Sequence, residues 1–181
     1  MNEILTALEE RRTIRKYTDE PVSAEVMAQL YNAIEGTQSW NNSQCWEIVE
    51  VRNPELRKQI QDTVPSQNPA YRAIVDAPVL LALCAKKGGS GTLGDDKYIT
   101  KHGDWYMYDL GIATQNLCLA AHSLGLGTVV VGWFEIEKAE EVIKTPEGVE
   151  LVSLIPLGYR NQKGVKPKHK PASDFVHVDT F

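Results

Sequence analysis

The chain has 181 residues, of which 43% are hydrophobic and 24% charged, with a formal net charge of −5. That length and balance predict one globular domain over residues 1–181, burying roughly 70% of its unfolded surface, and argue against disorder. The negative charge argues against a nucleic-acid partner, no apolar run reaches the roughly 18 residues of a membrane helix, and the amphipathic N-terminus lacks a signal-peptide pattern, so a cytoplasmic protein is expected.

Residues 3–10 read as a short amphipathic helix. Ser23 is placed to cap a second helix over 24–35, with Val26, Met27, Leu30 and Ile34 on one face and Gly36 ending it. A polar loop follows at 37–45. WEIVEV at 46–51 alternates and reads as a strand. Asn53 and Pro54 open a helix over about 54–63. PVLLALC at 78–84 is apolar throughout, as a strand buried on both faces would be. Residues 85–103 form a glycine-rich loop. Residues 104–124 form the longest helix, apolar nearly all round, which belongs inside a domain or a subunit interface. GLGTVVVGW at 125–133 turns into a strand, 136–144 form a helix, and LVSLIPLGY at 151–159 is the last strong strand. Residues 160–181 read as a basic, extended tail. Helices mixed with about four strands imply a layered α+β or α/β domain.

The cations are unevenly placed. Arg11, Arg12, Arg15 and Lys16 fall within six residues, and Arg160, Lys163, Lys166, Lys168 and Lys170 within eleven. One reading is a solvated face, with Arg11 and Arg12 favoured by the C-terminus of the first helix. The other is that both segments converge on one anion such as a phosphate, which the Arg fork binds bidentately. Residues 37–45, TQSWNNSQC, concentrate uncharged hydrogen-bonding groups. GSGTLG at 89–94 matches a dinucleotide fingerprint, yet the next helix opens about ten residues too late, so a flexible glycine loop is expected. Cys45, Cys84 and Cys118 show no CxxC spacing, and no two histidines lie three or four apart, so neither disulfide nor metal is expected. No residue pattern points to a catalytic side chain.

Four segments in order resemble the FMN-dependent nitroreductase family, in its short single-domain form. They are RRTIRKY (11–17), SWNNSQCW (39–46), DLGIATQNLCLAAHSLGLGTVVVGWF (109–134), and PLGY (156–159) with the basic KHKP (168–171) beyond it. Cys45 and Gln38 stand where the family often has proline. The resemblance implies an α+β fold with a central, mainly antiparallel sheet flanked by helices, and an extended C-terminal arm (about 160–181) reaching a partner subunit. It implies a homodimer with FMN at the interface. Arg11, Arg12, Thr13 and Arg15 are expected around the phosphate and ribityl chain, joined by Lys168 or Lys170. Ser39, Asn42 and Gln44 are expected to meet the flavin ring from the partner subunit, with Asn68 a further polar contact and Gly132 and Trp133 near N5. The implied reaction is ping-pong hydride transfer from NADH or NADPH through flavin to a nitroaromatic, quinone or similar acceptor. Reductive dehalogenation on the same fold and a non-enzymatic flavin-binding protein are the alternatives. Loop 85–103 is the candidate cover of the site.

Overall fold

A computed structural model describes residues 2–94 and 97–181. Four strands, β1 (Trp46–Val51), β2 (Val79–Lys86), β3 (Leu126–Thr128) and β4 (Val149–Tyr159), form one sheet in the order β1-β2-β4-β3, antiparallel throughout. The continuous apolar run of β2 follows from its central place. Leu80, Ala82 and Cys84 pack on one face, while Val79, Leu81, Leu83 and Ala85 pack on the other. Alternation of side chains along a strand sends successive residues to opposite faces, so a strand covered on both sides must be apolar throughout.

Two helical layers cover those faces. On one side lie α2 (Ala24–Glu35) and α5 (Tyr106–Ser123), through Met27, Leu30, Ile34, Leu110, Leu117 and Ala121. On the other lie α3 (Pro54–Gln61), α4 (Ala73–Asp76) and α6 (Ile136–Ile143), through Ile60, Ile74 and Ala139. The first helix, α1 (Glu3–Glu10), packs against α5 and buries none of its own residues. Caps sit where the sequence places them: the Ser23 hydroxyl accepts from Val26 N, and the Asn53 carbonyl accepts from Glu55 N and Leu56 N. Each such cap satisfies an end-of-helix N–H that would otherwise lack a partner.

One expectation is corrected. The strand read over 125–133 pairs as β3 only for Leu126–Thr128, and contact with β4 resumes at Val131, opposite Leu154. Residues 129 and 130 leave the ladder, Val129 inward and Val130 to solvent. Four-residue α4 is too short to show a helical period and was not anticipated. Gly36 caps the end of α2 as expected, at φ −75° and so without the left-handed turn that glycine permits. Among the described residues, no helix is long and apolar enough to cross a membrane.

Candidate functional site

The basic segment at 11–15 closes the free edge of β3. Arg11 N donates to Ala7 O (2.9 Å), and the Arg12 guanidinium donates to Glu9 O (2.5 Å) and Arg11 O (2.7 Å). Arg12 thus serves the helix C-terminus, as one of the two charge readings required. Beyond it, Ile14 N donates to Thr128 O (2.9 Å), and Ile14 is buried against Gly127. Because neighbours on an extended chain alternate, burying Ile14 turns Thr13 and Arg15 the other way.

The two basic segments also meet, as the second charge reading required of the fold. The C-terminal arm crosses Arg12 so closely that a Cβ on Gly164 would stand 2.0 Å from Arg12 Cβ. Arg11, Arg12, Thr13 and Arg15 line a cavity of about 480 Å³ with Lys166 and His169 from the arm. Lys168 and Lys170, the lysines expected there, are exposed and outside its wall. Pro167 and Pro171 favour an extended chain of three residues per turn, which puts 166 and 169 on one side. Lys166 pairs with Glu9 (3.1 Å); among the described residues, Arg11, Arg12 and Arg15 have no carboxylate partner. Arg15 Nε is buried without any acceptor. The cavity thus gathers three guanidinium groups that no described carboxylate neutralises, and an anion there would supply the missing charge. Nearby, His122 Nδ1 lies 3.3 Å from Arg160, and burial, then that charge, lower the imidazole's pKa.

Arg15 also borders a second cavity with Pro69 and Arg72, which brings the 68–72 turn alongside. There Asn68 accepts from Ala70 N (2.9 Å) and donates to Trp133 O (3.1 Å). The structure therefore joins Asn68 to Trp133, 65 positions away, and so to the 132–133 segment. Trp133 is 58% exposed, so this wall faces open space.

The polar loop is built around a residue that the sequence reading did not single out. Asp109, in the first turn of α5, is 1% exposed. Its carboxylate accepts Trp40 N at 3.0 and 3.1 Å, Ser43 Oγ at 3.1 Å and Ser90 Oγ at 2.7 Å. Ser39 Oγ accepts Gln44 N (3.0 Å), and Trp40 Nε1 donates to Thr92 O (2.9 Å). Under these ties Asn41, Asn42 and Gln44 adopt left-handed backbone, at φ 43°, 56° and 46°. Their side chains remain exposed. GSGTLG opens no helix; its Ser90, Gly91 and Thr92 are buried while Gly89, Leu93 and Gly94 are exposed, and Asp95 and Asp96 of loop 85–103 lie outside the described residues. The signal for Asp109 was a carboxylate at four-residue spacing from Ala113 and Leu117, on the face that α5 buries. Cys45 closes the loop as a buried thiol pushed up to about 11 by burial and then by Asp109, which makes it no nucleophile.

The chain does not bring all the expected residues together. Ser39 lines a separate cavity of about 330 Å³ with Trp40, Trp105 and Tyr108, and none of Arg11–Arg15, Asn68 or the arm borders it. Apolar side chains are left uncovered on α1, α5 and the arm. Met107 and Tyr108 on α5 are 55% and 61% exposed, and Ile4, Leu5 and Leu8 on α1 also face solvent, as do Phe175 and Phe181 on the arm.

A family model described as Nitroreductase family matches residues 8–159. The chain is 35% identical, over 99% of its length and 88% of the relative's, to a Methanothermobacter thermautotrophicus protein provisionally named NADH dehydrogenase/NAD(P)H nitroreductase. It is 30% identical, over 100% and 75%, to an FMN reductase [NAD(P)H] of Bacillus subtilis. Among solved structures, NADPH:FMN oxidoreductase from Vibrio harveyi complexed with NAD+ superposes with a TM-score of 0.84 at 28% identity, covering 99% of this chain and 78% of that one.

Proposed function

The chain belongs to the nitroreductase family and is an FMN-dependent NAD(P)H oxidoreductase, and on that premise we propose which residues hold the cofactor and how two chains complete the site. The cavity between 11–15 and the arm takes the FMN phosphate, with Arg11, Arg12, Thr13 and Arg15 as its principal donors and Lys166 and His169 closing it. The convergence of Arg11, Arg12 and Arg15, which have no carboxylate partner among the described residues, with Lys166 and His169 around one cavity is the observation that carries this assignment. Asn68, held to Trp133 O, fixes the 132–133 segment as the wall beside the ring. Ser39, Asn42 and Gln44 reach the ring from the partner subunit. Their separation from the phosphate cavity within one chain, and the uncovered apolar faces of α1, α5 and the arm, support a homodimer.

Bound FMN would supply the hydride chemistry, with NAD(P)H as reductant and a nitroaromatic, quinone or similar molecule as acceptor. The chain's own task is to bind, orient and tune. Cations neutralise the phosphate. Neutral amides and hydroxyls of loop 39–44 can both donate and accept, so they serve a ring edge that presents both kinds of group without opposing the charge that develops on it. The protein, purified and desalted, is expected to keep flavin absorbance and to oxidise NAD(P)H with a quinone. A colourless protein that binds no added FMN would remove the assignment.

A further inference from the structure

We propose that Asp109 is the positioning residue of the flavin-facing loop: a buried carboxylate that holds residues 39–44 in a conformation they would not otherwise keep. The inference rests on the placement of that loop beside the ring argued above. Three non-glycine residues in four positions have left-handed φ. Such backbone persists only where surrounding structure over-determines it, and it gathers at ligand sites. The local contacts in the loop are few: Ser39 Oγ to Gln44 N, and the backbone turn bonds Asn42 N to Ser39 O (3.2 Å) and Ser43 N to Trp40 O (2.7 Å). Trp40 Nε1 to Thr92 O and Lys86 N to Cys45 O anchor its ends, and Asp109 takes the loop at both sides of its asparagines, at Trp40 N and at Ser43 Oγ.

The choice of residue follows from the donors. A carboxylate only accepts, and its two oxygens offer about four lone-pair directions. Here one oxygen faces the Trp40 amide and the other faces Trp40, Ser43 and Ser90. Through Ser90 the same carboxylate reaches the buried 90–92 segment, and Trp40 Nε1 to Thr92 O closes that connection. Asp109 therefore ties three elements together: the loop, the glycine-rich segment and the start of α5. Its side chain borders the cavity that Ser39 lines but is 1% exposed and spends both oxygens on loop and Ser90 donors, so it acts through the loop.

The test measures FMN affinity and the midpoint potential of bound flavin in the wild type, Asn42→Ala, Asp109→Ala, and the double variant. Asp109→Ala is expected to raise the FMN Kd roughly tenfold and to shift the potential in the same direction as Asn42→Ala. The double variant is expected to shift it no further than the larger single change, because the two residues act as one unit. Ser43→Ala removes one donor from a partly exposed site and is expected to give a smaller shift of the same sign, even where Asp109→Ala folds poorly. If Asn42→Ala shifts the potential while Asp109→Ala and Ser43→Ala leave it unchanged, or if the shifts add, the positioning role is overturned. If Asn42→Ala shifts nothing, the loop is not beside the ring, and the inference falls with that placement.

Discussion

Gly127→Ala separates the scaffold of the site from its chemistry. A Cβ at 127 would stand 2.6 Å from both Ile14 Cβ and Ile14 Cγ2 and 2.8 Å from Cγ1. Carbon atoms pack at about 3.5–4.0 Å, so roughly 1 Å must open between β3 and the segment carrying Arg11–Arg15. Ile14 has little room to give it, being buried and tied to Thr128 O at 2.9 Å. Overpacking of this kind costs about 1–3 kcal/mol, which for a chain of this size lowers Tm by roughly 2–12 °C. The same displacement moves the arginines out of register with the phosphate. Loss of one charge-assisted hydrogen bond, about 1.5–3 kcal/mol, raises the FMN Kd by at least about tenfold. Thermal melts of the apoprotein and a fluorescence titration with FMN read the two effects separately. Gly89→Ala is the control, because a Cβ there meets nothing within 4 Å; it is expected to change neither. A Gly127→Ala protein with wild-type Tm and wild-type FMN affinity would refute the claim that the Ile14–Gly127 contact seats the arginines.

Two further outcomes follow from buried titratable groups. The pKa of His122 is lowered in the fold, first by burial and then by Arg160, so the unfolded chain binds the extra proton more readily. Its contribution to stability is present above the ordinary histidine pKa of about 6.5 and is lost as pH falls below it; a melt series from pH 7.5 to about 5 is expected to show this slope, and His122→Gln to flatten it. Burial holds the Cys45 and Cys84 thiols up at about 11 and about 12, so neither is expected to react with a thiol reagent at pH 8 in the folded protein, and rapid labelling of either under native conditions would contradict their burial.

The sequence was most informative where one physical cause acts locally. The helix starts at Ser23 and Asn53 were legible because a cap and its helix are adjacent in the chain. So was the apolar β2, because coverage on both faces leaves no polar position. The paired basic segments were visible as an imbalance in an acidic chain, but their meeting required the fold, which brings the arm across Arg12. What stayed hidden depended on contacts distant in sequence. The Asp109 carboxylate gathers donors from residues 40, 43 and 90, none of which announces a partner in α5. β3 pairs with β4 only over Leu126–Thr128 before contact resumes at Val131, and no pattern within 125–133 marks where that ladder breaks. The choice of Lys166 and His169 over Lys168 and Lys170 turned on which side of an extended arm faces inward, a question of geometry that charge alone leaves open.

The central claim is that the 11–15 segment and the arm form a phosphate site, and comparing FMN with riboflavin tests it most directly. The two ligands share the ring and ribityl chain and differ in the phosphate. Titration of the apoprotein with each, in the wild type and in Arg15→Ala, isolates that group. The account predicts that the wild type prefers FMN, and that Arg15→Ala weakens FMN by about 1.5–3 kcal/mol, roughly a tenfold to hundredfold rise in Kd, while riboflavin binding stays the same. Equal affinity of the wild type for both ligands, or an equal loss for both in Arg15→Ala, would contradict it.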